Sequence, residues 1–444
     1  MLRKLRACCI ILCLSGAFIC RSLAVDSPPE KPAAIPGESW ESQRDKTFEF
    51  VWSTVNDAYY DSTFGGVDWA AIKTKYQPLL PNASDKAALR TLLQSMLGEL
   101  HKSHFAILPR ELAVYTPSER AQIGTIGIEV AAVEEAVVIT EVDLDSPAAR
   151  AGLRVGDAIT IIEQQPMGDM RRFLIDAGYS PERTTNYMVR FAGSNLRKRV
   201  GSKLHLTVLG IDGVEREMEI PFELYAGVWS EPVGDFPSLP VKCGSHLDGD
   251  GLVHLHFNIF ARATMKEIRA ALRSIPTPGG LVLDLRGNGG GIAVMASGIT
   301  GWLSDREFLM GSMRLRQGHI DFTVAPQANA FLGPVAVLID GGSASTSEIM
   351  AAGLQEAGRA RIFGEPSAGA ALPSSFKTLP TGDVLQYVIA DLQTSAGVML
   401  EGRGVVPDKI VTRTRADLTA GRDPVVDAAK LWLKEKLVSN AAQK

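Results

Sequence analysis

A serine at a strand-to-helix turn can act as a nucleophile, and the segment Gly342-Ser343-Ala344-Ser345-Thr346-Ser347-Glu348 offers one at Ser345. An apolar strand is expected directly before it, Val335 to Ile339. A helix is expected directly after it, running to Ala357 and closed by Gly358. A hydroxyl in such a turn lies beside the unpaired N–H groups of a helix start, which suits acyl transfer through an oxyanion. On spacing alone plain capping is the stronger reading, because Ser and Thr are ordinary N-cap residues. A glycine-rich turn, Arg286-Gly-Asn-Gly-Gly-Gly291, follows an expected buried strand, Leu281 to Leu285. It lacks the Lys-Ser/Thr ending of a phosphate loop and the dinucleotide spacing, so tight turning or backbone oxyanion donation fits it better.

Other reactive side chains give little. Four of the five cysteines (Cys8, Cys9, Cys13, Cys20) fall in the first 24 residues, leaving Cys243 with no intramolecular partner. Cys243 reads as a packed or idle thiol. The seven histidines show no metal-ligand spacing, and neither a metal nor a cofactor is expected. His254 and His256 share one face of an alternating strand, Leu252 to Phe257, where packing or surface placement is the simpler reading.

A chain of 444 residues, 45% apolar and 22% charged, has core enough for two or three domains. The net charge is −4, which argues against nucleic-acid binding. Arg3, Lys4 and Arg6, the apolar run Ala7 to Ile19 and the small-x-small Ser22-Leu23-Ala24 form a signal peptide, residues 1–24. Its removal would take the charge to −8, since Arg3, Lys4, Arg6 and Arg21 leave and no acid precedes Asp26. Cys20 allows a lipoprotein reading, but Ile19 is bulky where a small residue normally precedes a lipidated Cys. The run is short for a membrane span, so cleavage after Ala24 is expected, with an uncleaved anchor as the alternative. Location follows: exported, to a bacterial periplasm, or alternatively membrane-anchored or extracellular.

Residues 25–38 are Pro-rich and read as a linker. Residues 39–112 are helical in pattern, with Phe48, Val51, Trp52, Val55 and Tyr59 on one stripe and Leu89 to Leu100 on another. Residues 113–225 turn to short strands: Ile126 to Val130, Val137 to Val142, Ala158 to Ile162, Leu204 to Leu209 and Glu217 to Ile220. Residues 226–415 alternate strand and helix, which argues a layered α/β core, and 416–444 form a helical tail.

Two resemblances sharpen this division. Gly124-Thr-Ile-Gly-Ile128 and Ser146-Pro-Ala-Ala-Arg-Ala-Gly-Leu-Arg-Val-Gly-Asp157 resemble a PDZ domain of bacterial proteases. The resemblance implies that Thr125, Ile126, Gly127 and Ile128 hold a peptide C-terminus by strand addition. Residues 168–200 are longer than the usual link, and their Arg197-Lys198-Arg199 cluster is expected to be a solvated face. Met96-Leu-Gly-Glu-Leu-His-Lys-Ser-His104, Asp284-Leu-Arg-Gly-Asn-Gly-Gly290, the Ser345 turn and Glu401-Gly-Arg-Gly-Val-Val-Pro-Asp408 together resemble the S41 peptidases. That family includes carboxyl-terminal processing proteases and the tricorn core protease. The implied architecture is multi-domain α/β: an N-terminal helical region, a PDZ domain and a ClpP/crotonase-like layered protease core.

The processing branch of the family uses a Ser–Lys dyad, but here Gly364-Glu-Pro-Ser-Ala-Gly-Ala370 puts Ala370 in the lysine's place, and Lys377 does not fit. The tricorn-like branch implies a catalytic set of Ser345, His104, Glu401 and Ser103. His104 would serve as base with its ordinary pKa, and Glu401 would fix its tautomer. Thr346 with Gly289 or Gly290 would supply oxyanion donors. Asp284 and Arg286 are expected to form a structural ion pair, and Glu348 to favour its helix N-terminus. The expected activity is an exported serine endopeptidase working through an acyl-enzyme on proteins or peptides, with the PDZ domain recruiting or gating substrate. The alternative is an S41-like scaffold without turnover that binds peptides through its PDZ domain.

Overall fold

A computed structural model describes residues 38–442; the expected signal peptide and nearly all of the expected linker lie outside them. The central sheet has six strands in the order β6 (Cys243–Leu247), β7 (Leu252–Phe257), β8 (Gly280–Asp284), β9 (Val335–Ile339), β10 (Arg361–Gly364) and β11 (Lys409–Ile410). From β7 to β11 the strands run parallel, and only β6 is antiparallel.

Parallel strands joined by crossover helices are covered on both faces, so they read as continuous apolar runs. Alternate residues of β8 and β9 prove the point. Leu281, Leu283, Val335, Val337 and Ile339 enter one core, packed with the helices α6 (Met265–Ser274), α7 (Val294–Gly301) and α8 (Thr346–Glu356). Val282, Ala336 and Leu338 enter a second, closed by Val425, Ala429 and Leu433 of α9 (Pro424–Ala442).

The N-terminal helices α1 (Trp40–Ala58), α2 (Trp69–Tyr76) and α3 (Lys86–Gly98) do not fold on themselves alone. Their core continues into Leu372, Leu379, Leu385, Tyr387 and Val388. The short strand Ala106–Leu108 completes the junction by pairing antiparallel with Val384–Val388. Apolar burial and strand pairing thus pin the segment after α3, including Ser103 and His104, to the protease core.

The PDZ sheet runs β1 (Ile128–Val133), β2 (Ala136–Val142), β3 (Ala158–Ile162), β4 (Lys203–Leu209), β5 (Glu215–Pro221), with β1 at its edge. The long link is two helices, α4 (Met167–Asp176) and α5 (Pro181–Asn195). The Arg197–Arg199 cluster differs from expectation. It is a strand paired with Ile123–Thr125, and Lys198 is bound to Glu163 rather than left to solvent. The domain is tied to the core at several points. Lys242 meets Glu129, Glu141 and Asp143 at 3.0, 3.3 and 3.5 Å. Arg415 donates to the carbonyls of Gly156 and Leu209 at 2.8 and 2.6 Å. Among the described residues no helix is long and apolar enough to cross a membrane.

Candidate active site

Ser345 ends the turn between β9 and α8 with φ 56° and ψ −117°. A non-glycine residue in such a backbone state is held there by its surroundings, a feature that clusters at reactive sites. The surroundings are identifiable. Ser345 N–H donates to Ala370 O at 2.9 Å and to Glu348 Oε2 at 2.9 Å. Glu348, fully buried, also accepts from Ser367 Oγ (2.6 Å), Gly369 N–H (2.9 Å) and Ala370 N–H (3.1 Å). The residue expected merely to favour a helix start therefore clamps the strap 367–370 against the turn. Burial pushes its pKa up to about 7. Its spacing, Ser-x-x-Glu, was a capping-box signal in the sequence.

The three serine hydroxyls of the turn differ in one respect. Ser343 Oγ donates to Leu285 O at 2.7 Å and Ser347 Oγ to Asn288 O at 2.8 Å, both fully buried. Ser345 Oγ gives its proton to no acceptor among the described residues and is partly exposed. Among the described residues only the middle serine hydroxyl lacks an acceptor for its proton.

The glycine-rich turn packs directly on this one. Asn288 is buried; its side chain donates to Phe257 O at 2.7 Å and accepts from Gly290 N–H at 2.9 Å. Its backbone carbonyl accepts from Ala344 N–H at 3.0 Å. A Cβ placed on Gly290, at φ 99°, would lie 2.7 Å from Ser345 Cβ and 3.0 Å from Thr346 N. Only glycine permits that approach. Because Gly290 N–H is already given to Asn288, the expectation that it serves the oxyanion is corrected. The N–H groups of Gly289 and Thr346 have no acceptor among the described residues. Asp284 and Arg286 form their ion pair at 2.6 Å, and Arg286 also reaches Asp423 at 2.8 Å.

His104 lies in the loop between α3 and the strand Ala106–Leu108, with φ 61°. Its Nδ1 is 2.8 Å from Ser103 Oγ, and Ser103 Oγ is 2.7 Å from Glu401 Oε2. Glu401 Oε1 accepts from Ser103 N–H at 2.8 Å, and Oε2 from Ala371 N–H at 3.2 Å. Ser103 thus stands between Glu401 and His104. The arrangement determines the tautomer. A hydroxyl has one proton, and a carboxylate can only accept, so the Ser103 proton points to Glu401. The short Nδ1–Oγ contact then requires the proton on Nδ1, leaving Nε2 with a free lone pair. Desolvation, with the charge of Arg190 second, depresses the His104 pKa to about 3, so the ring is neutral.

No hydrogen bond joins His104 to Ser345 directly. They are linked through the strap: Ser345 N–H to Ala370 O, and Ala371 N–H to Glu401. Ala370 itself is buried beside Ala344 and Ala368. Lys377 lies elsewhere, 5.7 Å over the rings of Phe50 and Tyr387. Among the described residues no cluster of His, Cys, Asp or Glu could hold a metal ion. Cys243 is half-buried, its pKa pushed up to about 11 by burial. His254 stacks on His246 at 4.6 Å and lies 3.3 Å from Asp248, and His256 is exposed.

The PDZ loop residues Thr125, Ile126, Gly127 and Ile128 precede and enter the edge strand β1. Ile126 O and Gly127 O accept from Ala148 and Asp143, both at 2.9 Å, while Ile126 N–H has no acceptor among the described residues. Gly127 N–H donates to Thr125 Oγ1 at 3.1 Å.

Three family descriptions match the sequence: peptidase family S41 over residues 251–411, the tricorn protease C1 domain over 41–98 and a PDZ domain over 124–184. The chain is 28% identical over 369 residues to a carboxyl-terminal-processing protease of Picosynechococcus sp., covering 81% of each. It is 25% identical over 430 residues to tricorn protease homolog 1 of Streptomyces coelicolor, covering 92% of this chain and 36% of the relative. Among solved structures its fold is similar to the photosystem II D1 C-terminal processing protease (TM-score 0.54, 20% identity, 83% and 93% covered). It is also similar to mature CPAF (TM-score 0.62, 14% identity, 90% and 98% covered).

Proposed function

Because this chain is a serine peptidase of family S41, with a PDZ domain beside its protease core, we propose that it hydrolyses peptide bonds through an acyl-enzyme on Ser345, with His104, Ser103 and Glu401 as its proton-handling set. The observation that carries this reading is the hydrogen-bonded run from Glu401 through Ser103 to His104 Nδ1. It leaves Nε2 as the proton acceptor of the site.

In this mechanism His104 Nε2 takes the proton of Ser345 Oγ as that oxygen attacks the scissile carbonyl. The imidazolium formed is stabilised by Glu401 through Ser103, while the N–H groups of Thr346 and Gly289 take the oxyanion. His104 then gives its proton to the leaving amine, and water repeats the sequence on the acyl-enzyme. The resting site requires closure of His104 onto Ser345, a contact that tightens when substrate fills the cleft. The scaffold-only alternative rested on the missing lysine, and the His104 set supplies a base in its place.

The leader supports export, to a periplasm where the cell is bacterial. The names of the relatives support cutting near protein C-termini, and the open edge of β1 supports capture of a peptide end by the PDZ domain. A fluorophosphonate probe tests the core of this reading. It should label the wild type at Ser345, by peptide mapping, and fail on Ser345→Ala. An unlabelled wild type, or adduct on another serine, overturns it.

A further inference from the structure

The PDZ domain does more than flank the catalytic cleft: one face of α5 reaches into it. Arg183 donates from both Nη atoms to His101 O at 3.3 Å, three residues before His104. Asn186 Nδ2 donates to Gly341 O at 3.1 Å, in the turn that carries Ser345. A Cβ on Gly341 would lie 3.3 Å from Thr185 Cγ2, so the helix and the turn are in contact. Positions 183, 186 and 190 repeat at three and four residues and share one side of a helix. Arg190 therefore projects on the side that already touches both catalytic segments, one turn beyond Asn186.

Its surroundings are unusual for an arginine. The side chain is exposed to solvent, yet enclosed enough for desolvation to lower its pKa. That combination describes a group lining a cleft, and its charge is felt at His104. Among the described residues it has no hydrogen bond and no ion pair. Among the described residues Arg183 likewise meets only the backbone carbonyl of His101 and the ring of Tyr179, 5.2 Å away. The acids nearest the chemistry are committed: Glu401 to Ser103 and Ala371, and Glu348 to the strap behind Ser345. A guanidinium presents a planar fork of donors matched to a carboxylate. The cleft keeps such a fork on the side of the helix that meets the His104 segment, and among the described residues no carboxylate pairs with it.

We propose that Arg190 is a specificity-determining residue that binds a carboxylate of the substrate chain in the catalytic cleft. The carboxylate belongs either to the chain's C-terminus or to an acidic side chain near the scissile bond. This is separate from capture at the Gly124–Ile128 loop and rests on the peptidase reading above. Pairing with substrate also neutralises the cation that opposes protonation of His104, so an anionic substrate leaves a stronger base than a neutral one.

The test uses the full chain. Fluorescently labelled peptides of one sequence, ending in a free acid or an amide and carrying Glu or Gln at internal positions, are titrated against Ser345→Ala protein by anisotropy. A carboxylate at Arg190 predicts that the acidic member of one pair binds about 10- to 100-fold tighter, the range of a charge-assisted pair. The ratio should collapse towards one in S345A/R190Q and return in part in S345A/R190K. Loss of the free-acid preference places the C-terminus at Arg190, and loss of the Glu preference places a side chain there. An acid preference that survives R190Q but is lost in Thr125 and Gly127 variants overturns the proposal in favour of the PDZ loop, as does the absence of any preference. Turnover then adds a second reading: in R190Q on an otherwise wild-type chain, acidic peptides should lose through KM rather than kcat. A wild type that fails to label with fluorophosphonate defeats the peptidase reading, while the binding ratios still judge Arg190.

Discussion

Ser345 N–H donates to the carbonyl of Ala370 at 2.9 Å, so the residue that the motif aligns with the lysine of the dyad branch lies against the backbone of the proposed nucleophile. The methyl group sits among Ala344 and Ala368 in a small buried apolar cluster, where an ammonium group would be stripped of water.

Ala370→Lys should therefore give no gain in peptidase activity. Forcing the longer side chain into this cluster should cost about 1–3 kcal/mol of stability, read as a lower Tm. A faster enzyme would show that the dyad chemistry applies.

Glu401→Gln should reduce kcat roughly 100-fold or more while the fold persists. An amide can orient Ser103 but cannot offset the charge that develops on His104. Unchanged turnover at an unchanged circular dichroism spectrum would remove Glu401 from the mechanism.

Single alanine replacements in the turn should separate reactivity from support. Ser345→Ala should abolish acylation. Ser343→Ala and Ser347→Ala each delete a buried hydroxyl that holds a backbone carbonyl, and each should cost about 1 kcal/mol of stability while acylation survives. Probe mapping on the three variants reads the first effect and thermal melts the second.

The acid limb of kcat/KM should lie well below the ordinary imidazole range. His104 in the fold is depressed to about 3 against 6.5 for an unperturbed ring, through desolvation first and Arg190 second, so the free enzyme keeps a neutral base through mildly acidic pH. Linkage fixes the sign for stability. The unfolded chain binds this proton first, so the contribution is complete above about 6.5 and lost as pH falls towards 3. His104→Gln should flatten that part of the Tm–pH curve; an activity limb at 6.5 or above would contradict the burial argument.

Gly290→Ala should damage the site from behind. The new methyl group would meet Ser345 Cβ at 2.7 Å in a backbone state that L side chains rarely adopt. A loss of about 1–3 kcal/mol and a sharp fall in labelling by the fluorophosphonate probe are expected. Full labelling at wild-type stability would mean that the two turns are not in the contact described.

The strands and helices around Ser345 were legible because both faces of the parallel sheet are apolar, leaving long unbroken runs such as Val335 to Ile339. His104 was legible only as part of a motif, since nothing local in Lys102-Ser103-His104 tells of the left-handed backbone at His104. The depressed pKa was not legible either, because desolvation comes from residues remote in the chain. The role of Glu348 was half visible: its spacing signals a cap, but its burial under residues 367–370 is a tertiary fact. Asn288 and Arg190 escaped for the same reason. One is an asparagine in a glycine-rich turn, the other an ordinary helix-surface arginine, and their significance comes from what packs opposite.

The strand Ala106–Leu108 that knits the N-terminal region into the core also imposes a condition on when the protein can act. It delivers His104 from the first quarter of the chain to a hairpin near residue 385, and Glu401 arrives later still. A ribosome or translocation channel that has released everything up to the Ser345 turn has yet to release the acid and the strap that hold the base in place. The incomplete chain carries a nucleophile without the means to use it. Under the proposed mechanism, proteolytic competence arrives only with the segment that carries Glu401, after the bulk of the molecule is available to fold, so that a nascent copy is inert towards its own unfolded neighbours.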